Sequence, residues 1–344
     1  MSVHTPPDLP RESDRPPAWG DPLTGEALQR VIDDRGDPHL VSASGRYPIR
    51  DGIPRLMPGG SYYAAAFGEQ WNRWRRTQLD SHTGTSISRD RLLRCLGTSL
   101  ERTLIAATDT VDVLEVGCGA GRFTEILLSF PHVRTTSLDL SSAVEANVLN
   151  FPIDERHRVV QADIEHPPFV RGDCFDIVMC LGVIQHTPSP EATIQRLFSL
   201  MRPGGWLIFD HYRPEWRRLT KATALALRPL IKRLPPALRF QVCEYLVTVF
   251  LPIHRAVRRR RWAQYVLSRI SPITAYYHAY PMLPEHLQRE WAVLDTHDGL
   301  ADWYKHLRTK EQINAMLRQL GATDVEISLS SHGVEARCRK PAHD

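Results

Sequence analysis

Three glycines spaced two apart, Gly117, Gly119 and Gly121, close the run Val113-Leu-Glu-Val-Gly-Cys-Gly-Ala-Gly-Arg-Phe-Thr124. Glycine has no Cβ, so such a loop turns tightly and lets backbone groups approach a ligand closely. The loop follows an apolar strand and opens into a helix. A dinucleotide fingerprint needs its third glycine at position 122, which is Arg122, so the pyrophosphate-binding version fits poorly. The pattern is E-x-G-x-G-x-G, with Glu115 two positions before the first glycine. Two carboxylates follow at the ends of later apolar runs, Asp139 in Ser137-Leu-Asp-Leu-Ser141 and Asp163 in Gln161-Ala-Asp-Ile164. Taken alone such a carboxylate reads more readily as a helix cap or a surface turn, but their order after the glycine loop makes a ligand site the better reading.

These residues need a scaffold, and the chain between Val111 and Asp210 supplies one. Apolar runs at Val111–Val116, Thr135–Leu140, Val159–Ala162, Phe175–Leu181 and Trp206–Asp210 alternate with amphipathic segments. Such alternation predicts a parallel sheet wrapped by helices. A turn, Met201-Arg-Pro-Gly-Gly205, precedes the fifth run, and Thr309–Leu320 reads as an amphipathic helix before two strands, Val325–Leu329 and Val334–Arg337, that close the same sheet. The expected fold is α/β, a mostly parallel sheet with an antiparallel closing strand, a helical insertion and a small N-terminal module. Upstream, Phe67, Trp71 and Trp74 share one helical face, and Leu92, Leu93, Leu96 and Leu100 continue the pattern in a second helix. Tyr47-Pro-Ile-Arg-Asp-Gly-Ile-Pro54 reads as strand and turn.

Composition narrows the class. The 344 residues are 42% hydrophobic and 24% charged with a mean hydropathy of −0.31, which excludes wholesale disorder and a polytopic membrane protein. None of the six cysteines stands in a C-x-x-C pair, so no cysteine zinc site is expected and the thiols read as reduced and cytoplasmic. Met1–Pro22 is rich in Pro, Asp and Arg and has no apolar core of a leader. Between Arg213 and Arg269, fourteen Lys/Arg face only Glu215 and Glu244, a local balance of +12 in a chain whose net charge is +4. That block predicts contact with something anionic or, more plainly, a solvated helical face.

With its glycine spacing, acidic residues and strand order, Val111–Asp210 resembles the class I S-adenosylmethionine-dependent methyltransferases, and the resemblance resumes near Thr309. It implies a Rossmann-like sheet and S-adenosylmethionine as cofactor. In that family the glycine loop lies against the methionyl and ribose parts, matching Glu115, Gly117, Gly119 and Gly121 here. Asp139, beside Leu140, would accept both ribose hydroxyls in a charge-assisted pair. Asp163 would receive the adenine amino group while Ile164 packs on the ring, and Leu181 to His186 would face the cofactor and the entering substrate.

Methyl transfer from a sulfonium needs an aligned acceptor, exclusion of water and, for an acceptor of high pKa, a base. His186 is the first candidate, because imidazole titrates near working pH, although relatives often carry two histidines where this chain has Gln185-His186. A pocket-wall role for His186 is equally open. Asp210 and His211, with Tyr212, offer a second acid/base cluster after the fifth strand. Asp295, His297, Asp298 and Tyr304 form a third, in a context similar to a lid-return segment. No Asn/Asp-Pro-Pro-Tyr/Phe follows the fourth strand, and Cys180-Leu181 is not the Pro-Cys of cytosine C5 enzymes. These absences leave O-, N- and C-methylation open, and the acceptor expected is a small molecule, saccharide or lipid-linked compound, with oxygen the first choice of atom. The alternatives are an RNA methyltransferase using the basic insertion, against which aromatic interleaving is sparse, and a non-catalytic cofactor-binding or regulatory subunit.

The flanks divide into a disordered tail over 1–18, a module over 19–60 and a helical connector over 61–110. The methyltransferase domain takes 111–211 and 309–340, and a basic lid takes 212–308. Ser42–Met57 resembles half of a zinc-ribbon module, but Asp21-Pro-Leu-Thr-Gly25 stands where that module carries its cysteines, so a metal-free relic is expected. Trp71, Arg73, Gln78 and Asp80 could cap the cofactor, with Trp71 and Trp74 more readily core. Phe240–Arg255 reads as a helix that wants burial nearly all round, as a lid or at a homodimer contact. It is too short to span a bilayer. Peripheral contact of Arg255–Arg261 with an anionic membrane, on its inner face, is the other expectation, and nucleic acid is not expected.

Overall fold

The computed structural model describes residues 16–58, 65–170, 174–214 and 222–342. The central strands are β5 (Val111–Val116), β6 (Val133–Asp139), β7 (His157–Ala162), β8 (Phe175–Cys180) and β9 (Met201–His211). They follow four N-terminal strands, β1 (Gln29–Ile32), β2 (Pro38–Val41), β3 (Arg46–Arg50) and β4 (Ile53–Leu56), and precede β10 (Thr323–Ser330) and β11 (Gly333–Arg339). The sheet order is β1-β2-β3-β4-β7-β6-β5-β8-β9-β11-β10. β4 to β9 run parallel where they pair, and β11 returns antiparallel between β9 and β10. Every residue of β5 and β8 is buried, as strands covered on both faces must be.

Those faces are covered by different helices. One face of the sheet, with Met179, Leu181 and Ile208, packs on α3 (Ile87–Ala106) and on the short α4 (Thr124–Leu127). The other, with Val178, Cys180 and Phe209, packs on α6 (Pro190–Ser199) and on the helix Lys310–Gln319. Local signals start both of these: Ser189 accepts from Ala192 N with Pro190 in the first turn, and Thr309 and Gln312 form a reciprocal capping box. The helix α5 (Ala143–Asn150) packs through Val144 on Ile53 and Val159.

The fifth strand starts earlier than the sequence suggests. Phe175 pairs with Met201 and Ile177 with Trp206, so the Arg202–Gly205 segment is absorbed as an irregularity inside β9 rather than forming a separate turn before it.

The zinc-ribbon resemblance of the N-terminal module is not supported. β3 and β4 form a hairpin turned by Asp51 and Gly52, both at positive φ, and β4 adds to the main sheet by pairing with β7 through Arg55 and Leu56. Asp21 is fully buried and takes bonds from Leu23 N, Thr24 N and the Ser42 and Ser44 hydroxyls. Burial pushes that carboxyl up, but the four donors together hold it below its ordinary range. The expected tail falls mostly on residues 1–15, outside the described residues. Residues 16–18, placed in that tail, lie instead against the sheet, where Arg158 Nη1 donates to Pro17 O and Val170 N to Ala18 O.

Helices α1 (Ala65–Arg73) and α2 (Asp80–Thr83) precede α3, and the 212–308 insertion carries α7 (Ala222–Ile231), α8 (Pro236–Ala256), α9 (Arg261–Ile270) and α10 (Glu285–Ala301). The helix after the insertion is α11 (Lys310–Gln319). α8 buries Phe240, Cys243, Val247 and Leu251 but leaves Tyr245, Val249 and Ile253 exposed. The expected all-round burial is therefore corrected to burial on one side. Among the described residues no helix is long and apolar enough to cross a membrane.

Candidate active site

The glycine loop leaves β5 at the sheet's carboxyl edge and is fixed there from behind. Gly117 N and Cys118 N donate to Leu138 O (2.7 and 3.1 Å), and Gly119 N donates to Asp139 Oδ2 (2.9 Å). The other oxygen of Asp139 takes Ser141 N (2.8 Å) and the Ser141 hydroxyl (2.7 Å). One carboxylate thus sets the loop after β5 and the turn after β6 at once. Burial raises its pKa despite these donors, which leaves it ready to gain from further hydroxyl donors. Glycine is required here: Gly117 has φ +73° and its missing Cβ would overlap the Val183 side chain, while a Cβ on Gly121 would lie 2.7 Å from the Phe151 ring.

The residues expected to line the cofactor site fall into two groups. Leu140, Asp163, Ile164 and Leu181 sit at the ends of β6, β7 and β8 along the same edge. Asp163 Oδ1 accepts from Glu165 N (2.9 Å), and Oδ2 takes no hydrogen bond among the described residues. Glu115 lies inside the sheet, where its Oε2 accepts from Thr124 Oγ1 (2.5 Å) and Ser137 Oγ (3.2 Å). Burial pushes Glu115 up to about 7. It is buried behind the loop, where Oε2 braces the helix that follows and Oε1 has no hydrogen-bond partner. On the open side, the Trp71 indole of α1 comes within 3.3 Å of where a Gly119 Cβ would stand. Of the four residues expected to cap the cofactor, Trp71 touches the glycine loop. Arg73 pairs with Glu244, Gln78 binds Arg122, and Asp80 accepts from Ser88 N and Arg89 N at the start of α3.

His186 sits one turn beyond β8. Its Nδ1 is 3.1 Å from both Tyr304 O and Asp302 Oδ2, its Nε2 is 3.9 Å from Asp298 Oδ1, and its ring meets those of Phe67 and Tyr212 edge-on. Burial disfavours charge on the ring, but Asp298 and Asp302 outweigh it and raise the pKa. The two carboxylates therefore favour the protonated ring, which suits His186 both to take a proton and, once charged, to hold an anionic oxygen. Gln185 beside it is buried with neither end of its amide hydrogen-bonded.

Asp210 and His211 do not form one acid/base cluster, because successive strand residues point to opposite faces. Asp210 accepts from Gly182 N (2.6 Å) and pairs with the buried Arg91 of α3. His211 lies on the other face with Nδ1 on Tyr212 O (2.8 Å), and burial lowers it to about 4. In α10, His297 is equally a structural residue: Nδ1 meets Gln70 Oε1 at 2.6 Å, and burial lowers its pKa to about 4. Asp298 reaches Tyr212 Oη (3.5 Å) as well as His186, so α10 and Tyr304 meet the rim through Asp298 and the Tyr304 carbonyl. Asp295, one turn back, is half-buried on the same helix.

A further cation was not anticipated. Arg122, directly after the glycine loop, donates to Ser88 Oγ (2.9 Å) and Gln78 Oε1 (3.0 Å) and stacks over Phe123 and Trp291. Its Nη2 is buried without a hydrogen-bond partner, while the charges of Asp295 and Asp80 act on the guanidinium in its favour. Burial and the neighbouring Arg91 lower its pKa to about 10, so it is charged at neutral pH. Arg91 itself carried a signal in the sequence: it falls within the apolar helical stripe with Leu92, Cys95 and Leu96, a place that demands a buried partner.

The segment that carries the loop is matched by sequence. Residues 114–209 match the model described as a methyltransferase domain. The matched segment runs from within β5 to within β9 and holds the glycine loop, Asp139 and Asp163. It is 31% identical over 154 residues to malonyl-[acyl-carrier protein] O-methyltransferase of Paenibacillus sp. (strain JDR-2), covering 43% of this chain and 55% of that one. It is also 31% identical over 107 residues to ubiquinone biosynthesis O-methyltransferase of Chromobacterium violaceum, covering 28% and 43%. The chain spans about half the length of the curated relatives it matches. Magnesium protoporphyrin IX methyltransferase of Synechocystis PCC 6803, solved with bound SAH, aligns at 13% identity over 81% of this chain and 95% of that one, with a TM-score of 0.40, too loose a likeness to carry an argument.

Proposed function

We propose that the protein is an S-adenosylmethionine-dependent O-methyltransferase whose acceptor is a small molecule that presents an already acidic oxygen, a carboxylate or a phenolate. The left-handed glycine loop, Asp139 and the unshared Asp163 oxygen suit a nucleoside with an amino acid tail, and S-adenosylmethionine supplies an electrophilic methyl group when bound. Both relatives named above are O-methyltransferases by name.

The observation that carries the acidic-oxygen reading is the His186 ring between Asp298 and Asp302. His186 already lies against Asp298 and Asp302, which favour its charged form, Asp210 is committed to Arg91 and Gly182, and His211 faces away. An acceptor oxygen that arrives ionised has no proton to lose. Arg122 then has a use, since its buried Nη2 lacks a hydrogen-bond acceptor and an acidic acceptor molecule supplies one. The His186 ring and the Gln185 amide would orient that acceptor, while Trp71, Trp291 and α10 exclude water from the rim.

The test is steady-state transfer of labelled methyl groups to a panel of carboxylic, phenolic and neutral alcohol acceptors. Transfer is expected to acids and phenols only, with KM for the acidic acceptor raised at least about tenfold in Arg122→Gln, the loss of about 1.4 kcal/mol. S-Adenosylhomocysteine affinity should stay within about twofold in that variant, well under the energy of one charged hydrogen bond. A matching fall in S-adenosylhomocysteine affinity would instead assign Arg122 to the cofactor's carboxylate, and transfer to neutral alcohols would overturn the acidic-oxygen reading.

A further inference from the structure

The insertion carries a surface that methyl transfer does not use. α9 exposes Trp262 (70%), Tyr265 (46%), Val266 (50%) and Ile270 (59%), residues at i, i+3, i+4 and i+8 that share one face of a helix. The helix is not free to turn that face inward. On its opposite side Gln264 is buried, and its amide grips α8 at both ends: Nε2 donates to His254 O (2.5 Å), and Oε1 meets His254 Nδ1 (3.1 Å). This two-point lock fixes the rotation of α9 with its apolar stripe outward.

Immediately before the stripe stand Arg258, Arg259, Arg260 and Arg261, all exposed. Arg255 pairs with Glu285 at 3.6 Å, but none of the following four makes an ion pair among the described residues. Four uncompensated cations therefore border an aromatic and aliphatic stripe, with the Arg269 guanidinium lying over the Tyr265 ring (4.6 Å).

We infer that α9 with Arg258–Arg261 is a docking surface for an anionic lipid bilayer, on which the helix lies in the plane of the interface. The charge identifies the occupant. A two-fold contact of this face with a second copy would bring no carboxylate to the arginines, since residues 255–270 contain neither Asp nor Glu. A nucleic acid would satisfy the arginines but leave Val266 and Ile270 uncovered. A bilayer with anionic headgroups satisfies both at once, because tryptophan and tyrosine settle at the headgroup level and aliphatic side chains reach the acyl boundary. At ten residues the helix lies on such a surface and does not cross it. The inference is independent of the acceptor's identity.

The experiment is co-sedimentation of the full chain with phosphatidylcholine vesicles, with and without about one third phosphatidylglycerol, a fraction chosen to give a strongly negative surface. Binding is expected only to the anionic vesicles and should weaken with salt. Each arginine near such a surface is worth about fivefold in partitioning, so replacing Arg258–Arg261 by glutamine should cost roughly two orders of magnitude or more. Trp262→Ser with Val266→Ser should weaken binding at least about tenfold while leaving the thermal melting point unchanged, since both side chains are exposed. Failure of the parent chain to bind anionic vesicles at low salt would overturn the inference. So would binding that is indifferent to Trp262→Ser/Val266→Ser. A concentration-dependent dimer that the same pair of substitutions dissolves would reassign the surface to a second copy, and RNA binding lost with the four arginines would reassign it to nucleic acid.

Discussion

Replacing Arg91 with leucine is expected to lower the stability of the fold by about 3–5 kcal/mol, the cost of stranding a buried charge by removing its partner. Asp210 is buried at the end of β9, and Arg91 reaches it from α3 across the sheet's carboxyl edge. Water cannot take the place of the guanidinium without opening that edge. The remedy is as informative as the lesion. Adding Asp210→Asn removes the stranded charge yet keeps an oxygen for Gly182 N, so the double variant should recover most of the loss. Urea denaturation of the two variants and the parent gives the comparison. A loss below about 1 kcal/mol in Arg91→Leu would place the pair with ordinary surface ion pairs and remove it as a support of the rim.

Gly117→Ala should be nearly as costly, and at the ligand site itself. An alanine at φ +73° pays about 1–2 kcal/mol for the left-handed conformation, and its Cβ would overlap Val183 besides. The loop can relieve the overlap only by moving away from Leu138 and Asp139, which hold it. S-Adenosylhomocysteine affinity is expected to fall by at least about tenfold, or 1.4 kcal/mol. In Gly117→Ala/Val183→Ala the Cγ overlap is removed but the dihedral cost is not, so recovery should be partial. Full recovery would mean that the positive φ is incidental. Binding by Gly117→Ala equal to the parent would mean that the loop is not part of the cofactor site.

What the sequence made legible is what is local. The run from Val113 to Thr124 contains its own strand, turn and helix start, and the carboxylates at Asp139 and Asp163 stand at strand ends that hydrophobic patterning alone locates. The Asp51-Gly52 turn and the Thr309/Gln312 box are likewise complete within a few residues. The roles of His186, Asp210 and His297 were not legible, because each is set by a residue distant in the chain: Asp302, Arg91 and Gln70. A histidine in sequence has its ordinary pKa, and only the fold puts carboxylates or a greasy wall beside it. Strand alternation did carry a warning that Asp210 and His211 could not share a site. The module before Gly60 was misread for a related reason. Its hairpin is local, but its attachment to β7 through Arg55 and Leu56 spans more than a hundred residues and leaves no mark in the pattern.

The α8 helix shows the opposite error, in which a pattern was read too far. An apolar arc over most of a helix predicts burial all round, yet Tyr245, Val249 and Ile253 remain exposed. Periodicity states what a face prefers and not what covers it. In this chain two neighbouring helices, α8 and α9, leave apolar residues in contact with solvent, and the cationic run beside α9 is what points to the missing neighbour.

The central claim is that the loop Gly117–Gly121, held by Asp139, forms the S-adenosylmethionine site. Calorimetric titration of S-adenosylhomocysteine into the parent chain and into Asp139→Ala tests it most directly. The account predicts one site per chain in the parent, and binding at least about thirtyfold weaker in the variant, the 2 kcal/mol expected of hydrogen bonds to a charged group. A thermal melt of both proteins separates that loss from unfolding. Equal affinity of the two proteins, or no binding to the parent, would contradict it.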